Sequence, residues 1–253
     1  MSVKDITLNV CFFAFPSYHG NIVNAKLTIL SYAGGYMREQ TIRTIEKEKL
    51  IVIVRGVERE YLIPLAEAMY AGGIRLLEIT YDASGRISDE ETASEIALLT
   101  AHFGERMLIG AGTVLTEKQA ALTKRAGGCF IISPNTDQNV IARTRALEMV
   151  SIPGALTPTE VQAAHLAGAD FVKLFPLDAM GADYLKAIAA PLSHIKFLAV
   201  GGVNETNMEK YWKAGAKGFG IGSNIVNKAW IREGNYEAIT ALARVYVSAV
   251  QKF

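Results

Sequence analysis

Two ionisable side chains stand where a strand should be dry. Lys173 lies in Phe-Val-Lys-Leu-Phe-Pro and Glu78 in Leu-Leu-Glu-Ile-Thr. Burial disfavours the charged form of each group, lowering the pKa of an amine and raising that of a carboxyl. A neutral amine can add to a ketone carbonyl and form an imine, and a nearby carboxyl can relay the protons of that chemistry. Packing offers a plainer account. A strand lysine can snorkel outward, and a buried glutamate can pair with Lys173 or with Arg55, which closes the run Leu50 to Arg55. One lysine and one glutamate in separate apolar runs favour chemistry over packing.

Glycine turns supply a second kind of site. Gly201-Gly202 follows the run Lys196 to Val200, and Gly222-Ser223 follows Gly218 to Ile221. Glycines there let backbone N–H groups approach an anion, and a following helix N-terminus adds a favourable dipole. The Ser223 hydroxyl can donate as well. Metal chemistry has little support, because His19, His102, His165 and His194 show no ligand spacing beside a strand end. Neither a metal nor another cofactor is expected.

These residues need a frame that gathers strand ends. Strands are expected at Leu50–Arg55, Leu76–Thr80, Met107–Ala111, Phe130–Ser133, Val150–Ile152, Phe171–Phe175, Lys196–Val200 and Gly218–Ile221. Helical stretches lie between them, among them Arg59–Tyr70, Glu90–His102 and Thr157–Ala167. In the last of these Thr157 is placed as N-cap and Pro158 at the first helical position. Continuously apolar strands are buried on both faces, as parallel strands are. Eight strand–helix units with short connections predict an α/β fold, a closed (β/α)8 TIM barrel, as a single domain over residues 37–253. Arg55-Gly56-Val57 is not the GxGxxG turn an open dinucleotide-binding sheet would place after its first strand. Catalytic groups of such barrels gather where strands end at the carboxyl face. Arg55, Glu78, Thr113, Pro134, Lys173 and both glycine turns fall there.

The whole chain has 253 residues, 26 basic and 25 acidic, and half of them are hydrophobic. A formal net charge of +1 gives no field to steer nucleic acid or an acidic membrane surface toward it. No apolar run reaches the ~18 residues of a membrane-spanning helix. Cys11 and Cys129 lie far apart without CxxC spacing, which reads as two free thiols in a reducing compartment and a cytoplasmic protein. Composition shifts at Met37. Before it only Lys4, Asp5 and Lys26 are charged, while Phe12, Phe13, Phe15, Tyr18, Tyr32 and Tyr36 crowd the same stretch. Residues 1–36 read as a leader outside the barrel domain, either a segment packed on it or upstream sequence with the true start at Met37. From Met37 a charged helix with Ile42 and Ile45 three apart opens the domain.

The pieces IVIVRG, GIRLLEIT, IGAGTVL, FIISPN, IPGALTPTE, FVKLFP, AVGGVN and GIGSNIV, in this order, resemble the 2-keto-3-deoxy-6-phosphogluconate / 4-hydroxy-2-oxoglutarate aldolase family. The resemblance covers essentially all of residues 37–253. It implies a class I aldolase that needs no metal, usually a homotrimer, and that cleaves a phosphorylated 2-keto-3-deoxy sugar acid to pyruvate and glyceraldehyde 3-phosphate. By the same resemblance Lys173 forms the Schiff base and Glu78 is the general acid/base. Thr113 contacts the pyruvyl carboxylate, Pro134 lines the pocket, and Gly201, Gly202, Gly222 and Ser223 hold the 6-phosphate. The gluconate epimer is the expected substrate, with 4-hydroxy-2-oxoglutarate and the galactonate epimer as alternatives.

The chain also departs from the family pattern. Asp82 stands where well-known members carry an arginine that grips the substrate carboxylate, so Arg55 is expected to take over that task, with Arg86 a weaker candidate. Val200 replaces a common threonine and Asn135 a common glycine, and both bear on which C4 configuration fits. Two other functions compete. A phosphosugar epimerase or thiamin-phosphate-type synthase would keep the glycine turns but needs no lysine inside strand six. A barrel whose site Asp82 has spoiled would bind a phosphosugar acid without turnover.

Overall fold

The computed structural model describes Gly35 and residues 37–253. The expectations for the leader, its start and Cys11 otherwise lie outside the described residues. A helix spanning 37–48 (α1) opens the domain. Strands and helices then alternate: β1 (Leu50–Val54), α2 (Arg59–Ala71), β2 (Leu76–Thr80), α3 (Asp89–Phe103), β3 (Leu108–Gly112), α4 (Glu117–Arg125), β4 (Phe130–Ile132), α5 (Gln138–Ala146) and β5 (Val150–Ile152). The second half runs β6 (Gly154–Ala155), α6 (Pro158–Leu166), β7 (Val172–Leu174), α7 (Gly181–Ala189), β8 (Phe197–Val200), α8 (Met208–Lys213), β9 (Ala216–Ile221), α9 (Lys228–Arg232) and α10 (Tyr236–Val250).

All pairings are parallel, in the order β5-β4-β3-β2-β1-β9-β8-β7-β6. The two ends of that order are one strand interrupted at Pro153, whose missing N–H breaks the ladder. Its first piece pairs with β4 and its second with β7, and Lys173 N–H donates to the Pro153 carbonyl at 2.9 Å. The sheet therefore closes, and the eight-stranded barrel predicted from the sequence is observed with its fifth strand in two segments. Helix α8 begins only at Met208, because the Asn204 and Asn207 side chains bind the preceding turn. The short α9 carries no periodic stripe long enough to announce itself. Among the described residues no helix is long and apolar enough to cross a membrane.

Side chains alternate across each strand, so one set faces the helices and the other the barrel axis. Leu50, Val52, Val54, Leu77, Ile79, Ile109, Ala111, Val172, Leu174, Phe219 and Ile221 join the helices in the larger apolar cluster. Ile51, Leu76, Phe130, Ile132, Val150, Ile152, Phe171 and Leu198 form a second cluster with Ile45 of α1. That inner cluster makes the barrel a packed core, with α1 contributing to it. Interior glycines make the packing possible. A Cβ on Gly110 would overlap the Phe130 ring, and one on Gly218 would lie 2.9 Å from Leu198.

Candidate active site

Following each inward-facing series toward the carboxyl face leads to the predicted site. Ile51 and Ile53 precede Arg55, Leu76 precedes Glu78, and Leu108 and Gly110 precede Gly112. Phe130 and Ile132 precede Pro134, Phe171 precedes Lys173, Leu198 precedes Val200, and Gly218 and Gly220 precede Gly222. Register keeps neighbours level: Ile53 opposite Glu78, Glu78 opposite Gly110, and Lys173 opposite both Gly154 and Leu198. One barrel interior thus receives the amine and the carboxyl, and the exposed Arg55 stands at its mouth.

Lys173 is 6% exposed and Glu78 1% exposed. Neither forms an ion pair among the described residues, and both carboxyl oxygens of Glu78 are buried without a hydrogen-bond partner. Burial pushes the Glu78 carboxyl well up, against the pull of the Lys173 and Arg55 cations. Burial likewise pulls the Lys173 amine down; the Glu78 charge opposes that and the Arg55 charge assists it. An unpartnered buried carboxyl costs folding free energy, and such a cost is tolerated where function requires it. The Lys173 Nζ sits 4.6 Å from the centre of the Phe175 ring, a neighbour missed in the sequence although it follows Lys173 in the same inward series.

Gly112 was also missed. A Cβ there would overlap the Glu78 carboxyl, so the acid lies directly against the β3 backbone. The next residue, Thr113, has φ 55°, a conformation costly for a β-branched side chain and one that clusters at functional sites. Its hydroxyl accepts a 3.0 Å hydrogen bond from the Arg55 guanidinium. Arg55 is thereby held across the barrel mouth.

Asp82 turns back onto its own loop. It accepts from Ser84 N–H and Oγ and from the Arg86 and Ile87 N–H groups, which holds its carboxyl down to about 2. The residue organises its own loop. Arg86 is drawn to that loop by its Nε–Ser84 Oγ hydrogen bond of 3.0 Å, and its side chain points to solvent.

The glycine turns meet at the other side of the mouth. Gly201 and Gly202 have φ values of 103° and 67°, and a Cβ on Gly201 would lie 2.9 Å from Leu177 N. The loop after β7 therefore rests on this pair, a packing reason for both glycines beside the predicted anion contact. Among the described residues the N–H groups of Gly201, Gly202, Ser223 and Asn224 donate to no protein acceptor. Helices α8 and α9 start several residues beyond these turns, so the helix dipole expected from the sequence does not directly back the exposed N–H groups. Cys129 is a half-buried free thiol that desolvation pushes up to about 12, unsuited to nucleophilic work. Among the described residues no three His, Cys, Asp or Glu side chains gather as a metal site.

A closed parallel barrel that brings a dry lysine, a dry glutamate and two turns of unpaired N–H groups to its carboxyl face has the parts for an enzyme that works on carbonyl compounds. The family model "KDPG and KHG aldolase" matches residues 41–242. Relatives agree: the 2-dehydro-3-deoxy-6-phosphogalactonate aldolase of Escherichia coli (strain K12) is 34% identical, over 81% of this chain and 98% of its own length. The 2-dehydro-3-deoxy-phosphogluconate aldolase of Treponema pallidum is 31% identical over 79% of this chain and 92% of its own. A solved structure of KDPG aldolase from Legionella pneumophila, with pyruvate captured as a covalent carbinolamine intermediate, superposes with a TM-score of 0.72 at 31% identity. It covers 84% of this chain and 97% of that one. The chain belongs to the KDPG and KHG aldolase family, and it is an aldehyde-lyase.

Proposed function

We propose that this aldolase cleaves 2-dehydro-3-deoxy-6-phosphogalactonate to pyruvate and glyceraldehyde 3-phosphate through an imine on Lys173. The observation that carries the reading is the pairing of a dehydrated Lys173 with the orphaned carboxyl of Glu78 in one barrel interior. The neutral Lys173 Nζ adds to the C2 ketone, and the protonated Glu78 carboxyl gives its proton to the carbinolamine hydroxyl, which leaves as water; an iminium ion and the Glu78 carboxylate remain. Glu78 takes a proton so that the C4 hydroxyl becomes the aldehyde carbonyl. The C3–C4 electron pair moves into the iminium, giving an enamine and free aldehyde. C3 then regains a proton, and water releases pyruvate and the amine.

The gluconate epimer, placed first by the sequence, becomes the second reading. Arg55 and Thr113 support the change, since they provide carboxylate binding without the missing arginine at position 82. The Val200 wall supports it too, because its methyls offer no hydroxyl to the C4 substituent. Likeness to the Escherichia coli phosphogalactonate aldolase adds to both. Pyruvate release from each C4 epimer tests the choice. A kcat/KM at least about tenfold higher for the galactonate epimer, a 1.4 kcal/mol difference in transition-state binding, is expected. Equal values or a gluconate preference overturn it.

Arg55→Ala should raise KM for the keto acid by about 10–100-fold, the loss of a charge-assisted pair. An unchanged KM removes Arg55 from carboxylate binding. The remaining roles belong to the same reading: Pro134 walls the pocket, and Gly201, Gly202, Gly222 and Ser223 take the phosphate. A homotrimer is part of it as well, and sedimentation velocity of the purified protein reads that directly.

A further inference from the structure

Among the described residues the Lys173 Nζ meets no carboxylate within ion-pair distance and no hydrogen-bond acceptor. Its register neighbours, Gly154 on β6 and Leu198 on β8, bring no charge. Two ionisable groups act on it from beyond ion-pair distance. Glu78 on β2 is driven by burial toward its neutral form, and the Arg55 cation after β1 repels the ammonium. The nitrogen nevertheless carries positive charge twice, as the ammonium from which the amine is released and again as the iminium. What faces it is aromatic: the Nζ lies over the Phe175 ring, 4.6 Å from its centre.

The backbone holds that ring in place. The Phe175 N–H donates to the Ala155 carbonyl at 3.1 Å, and the Leu177 N–H donates to the Val200 carbonyl at 3.1 Å. The chain therefore stays bonded to the ends of β6 and β8 after β7 has stopped. Lys173 is buried and Phe175 half-buried, and a ring face attracts a cation more strongly where water is scarce. Such a partner also suits a nucleophile. A carboxylate in contact would hold the lysine as ammonium. The ring carries no charge and takes no proton, so its weaker pull steadies the positive nitrogen and still lets the amine form.

We propose that Phe175 is a positioning residue for the imine chemistry, whose ring face holds the Lys173 nitrogen in the barrel and stabilises its positive charge as ammonium and as iminium. The iminium part rests on the imine reading above, and the ammonium part stands without it.

The test replaces Phe175 in the full chain with 4-fluoro-, 3,5-difluoro- and 3,4,5-trifluorophenylalanine, which draw negative charge from the ring face and nearly keep its shape. Phe175→Leu removes the face altogether. The pH dependence of Lys173 acetylation by acetic anhydride, read by peptide mass spectrometry, reports the proton affinity of the amine without any substrate. That affinity should fall stepwise with fluorine number, by about three- to tenfold for the trifluoro ring and for Phe175→Leu. Pyruvate is then trapped with borohydride at a pH above the acetylation midpoint, where the amine starts neutral and only the iminium is charged. The pyruvate concentration for half-maximal trapping should rise by the same factor and in the same order. Below the midpoint both states are charged, and the series should differ by less than about twofold. A ring that only fills space gives one proton affinity across the fluorinated series. That result, or an affinity that rises with fluorine, overturns the proposal, even if Phe175→Leu fails to fold. Wild type that traps no pyruvate at Lys173 removes the imine reading and the iminium part with it, and the acetylation series still decides the ammonium part.

Discussion

Lys173→Met abolishes aldol cleavage, lowering pyruvate release by about 10⁴-fold or more, and no borohydride adduct with pyruvate remains on the protein. The expectation follows from the position of the amine. Among the described residues it is the one lysine that the inward alternation of the strands delivers to the carboxyl face, and desolvation keeps it poised to lose its proton. Imine formation by the wild type should therefore slow as pH falls through the lowered Lys173 pKa. Stability gives an independent reading with a defined sign. Lys173, depressed in the folded state, forfeits stability as pH falls below its unfolded value of about 10.4, and Glu78, raised in the folded state, forfeits it as pH rises above about 4.3. Both losses overlap at neutral pH. The double variant Lys173→Met/Glu78→Met should thus gain about 1–4 kcal/mol over wild type in urea unfolding, most strongly between those two pH values. An inactive double variant that is no more stable would mean that the two groups are already satisfied where they lie. Trapping that persists without Lys173 would move the nucleophile elsewhere.

The barrel was legible because each strand is a short apolar run closed by glycine, proline or a polar cluster, and because caps such as Thr157-Pro158 mark helix starts. Lys173 and Glu78 were legible for the same reason, as ionisable residues in apolar text. Which face each residue takes was not. In LIVIV both faces are apolar, one toward helices and one toward the axis, so the sequence shows no alternation even though the structure has it strictly. That hidden parity places Gly112 against Glu78 and Phe175 beside Lys173. Where the Asp82 side chain goes was not legible for a related reason. Four residues after the glutamate, the chain has left the strand, and an Asp followed by Ser and Gly can fold its carboxyl back onto its own backbone. A family pattern identifies that position by count, whereas local hydrogen bonding decides where the side chain goes.

The hidden parity has a testable consequence at Gly112. Gly112→Ala adds one methyl group facing inward, where the Glu78 carboxyl already lies, and either the acid or the β2–β3 backbone must yield. Backbone movement is opposed by five residue pairs between these strands, from Leu76 with Leu108 to Thr80 with Gly112. The acid is unpartnered and moves more easily. The variant should therefore fold with a stability loss of about 1–3 kcal/mol, the cost of overpacking. Its kcat should fall by about 10²–10⁴-fold, the contribution of a positioned proton-transfer group. Pyruvate trapping at Lys173 should persist, more slowly, because the nucleophile's own strand is untouched. Shortening the acid separates the two effects: Gly112→Ala/Glu78→Asp should recover most of the lost stability, since the smaller side chain leaves room for the methyl, while kcat stays low because the carboxyl is set back. Wild-type kcat and stability in Gly112→Ala would show that Glu78 does not need the β3 backbone to hold it. A loss of stability that Glu78→Asp fails to relieve would place the strain in the strands and not in the acid.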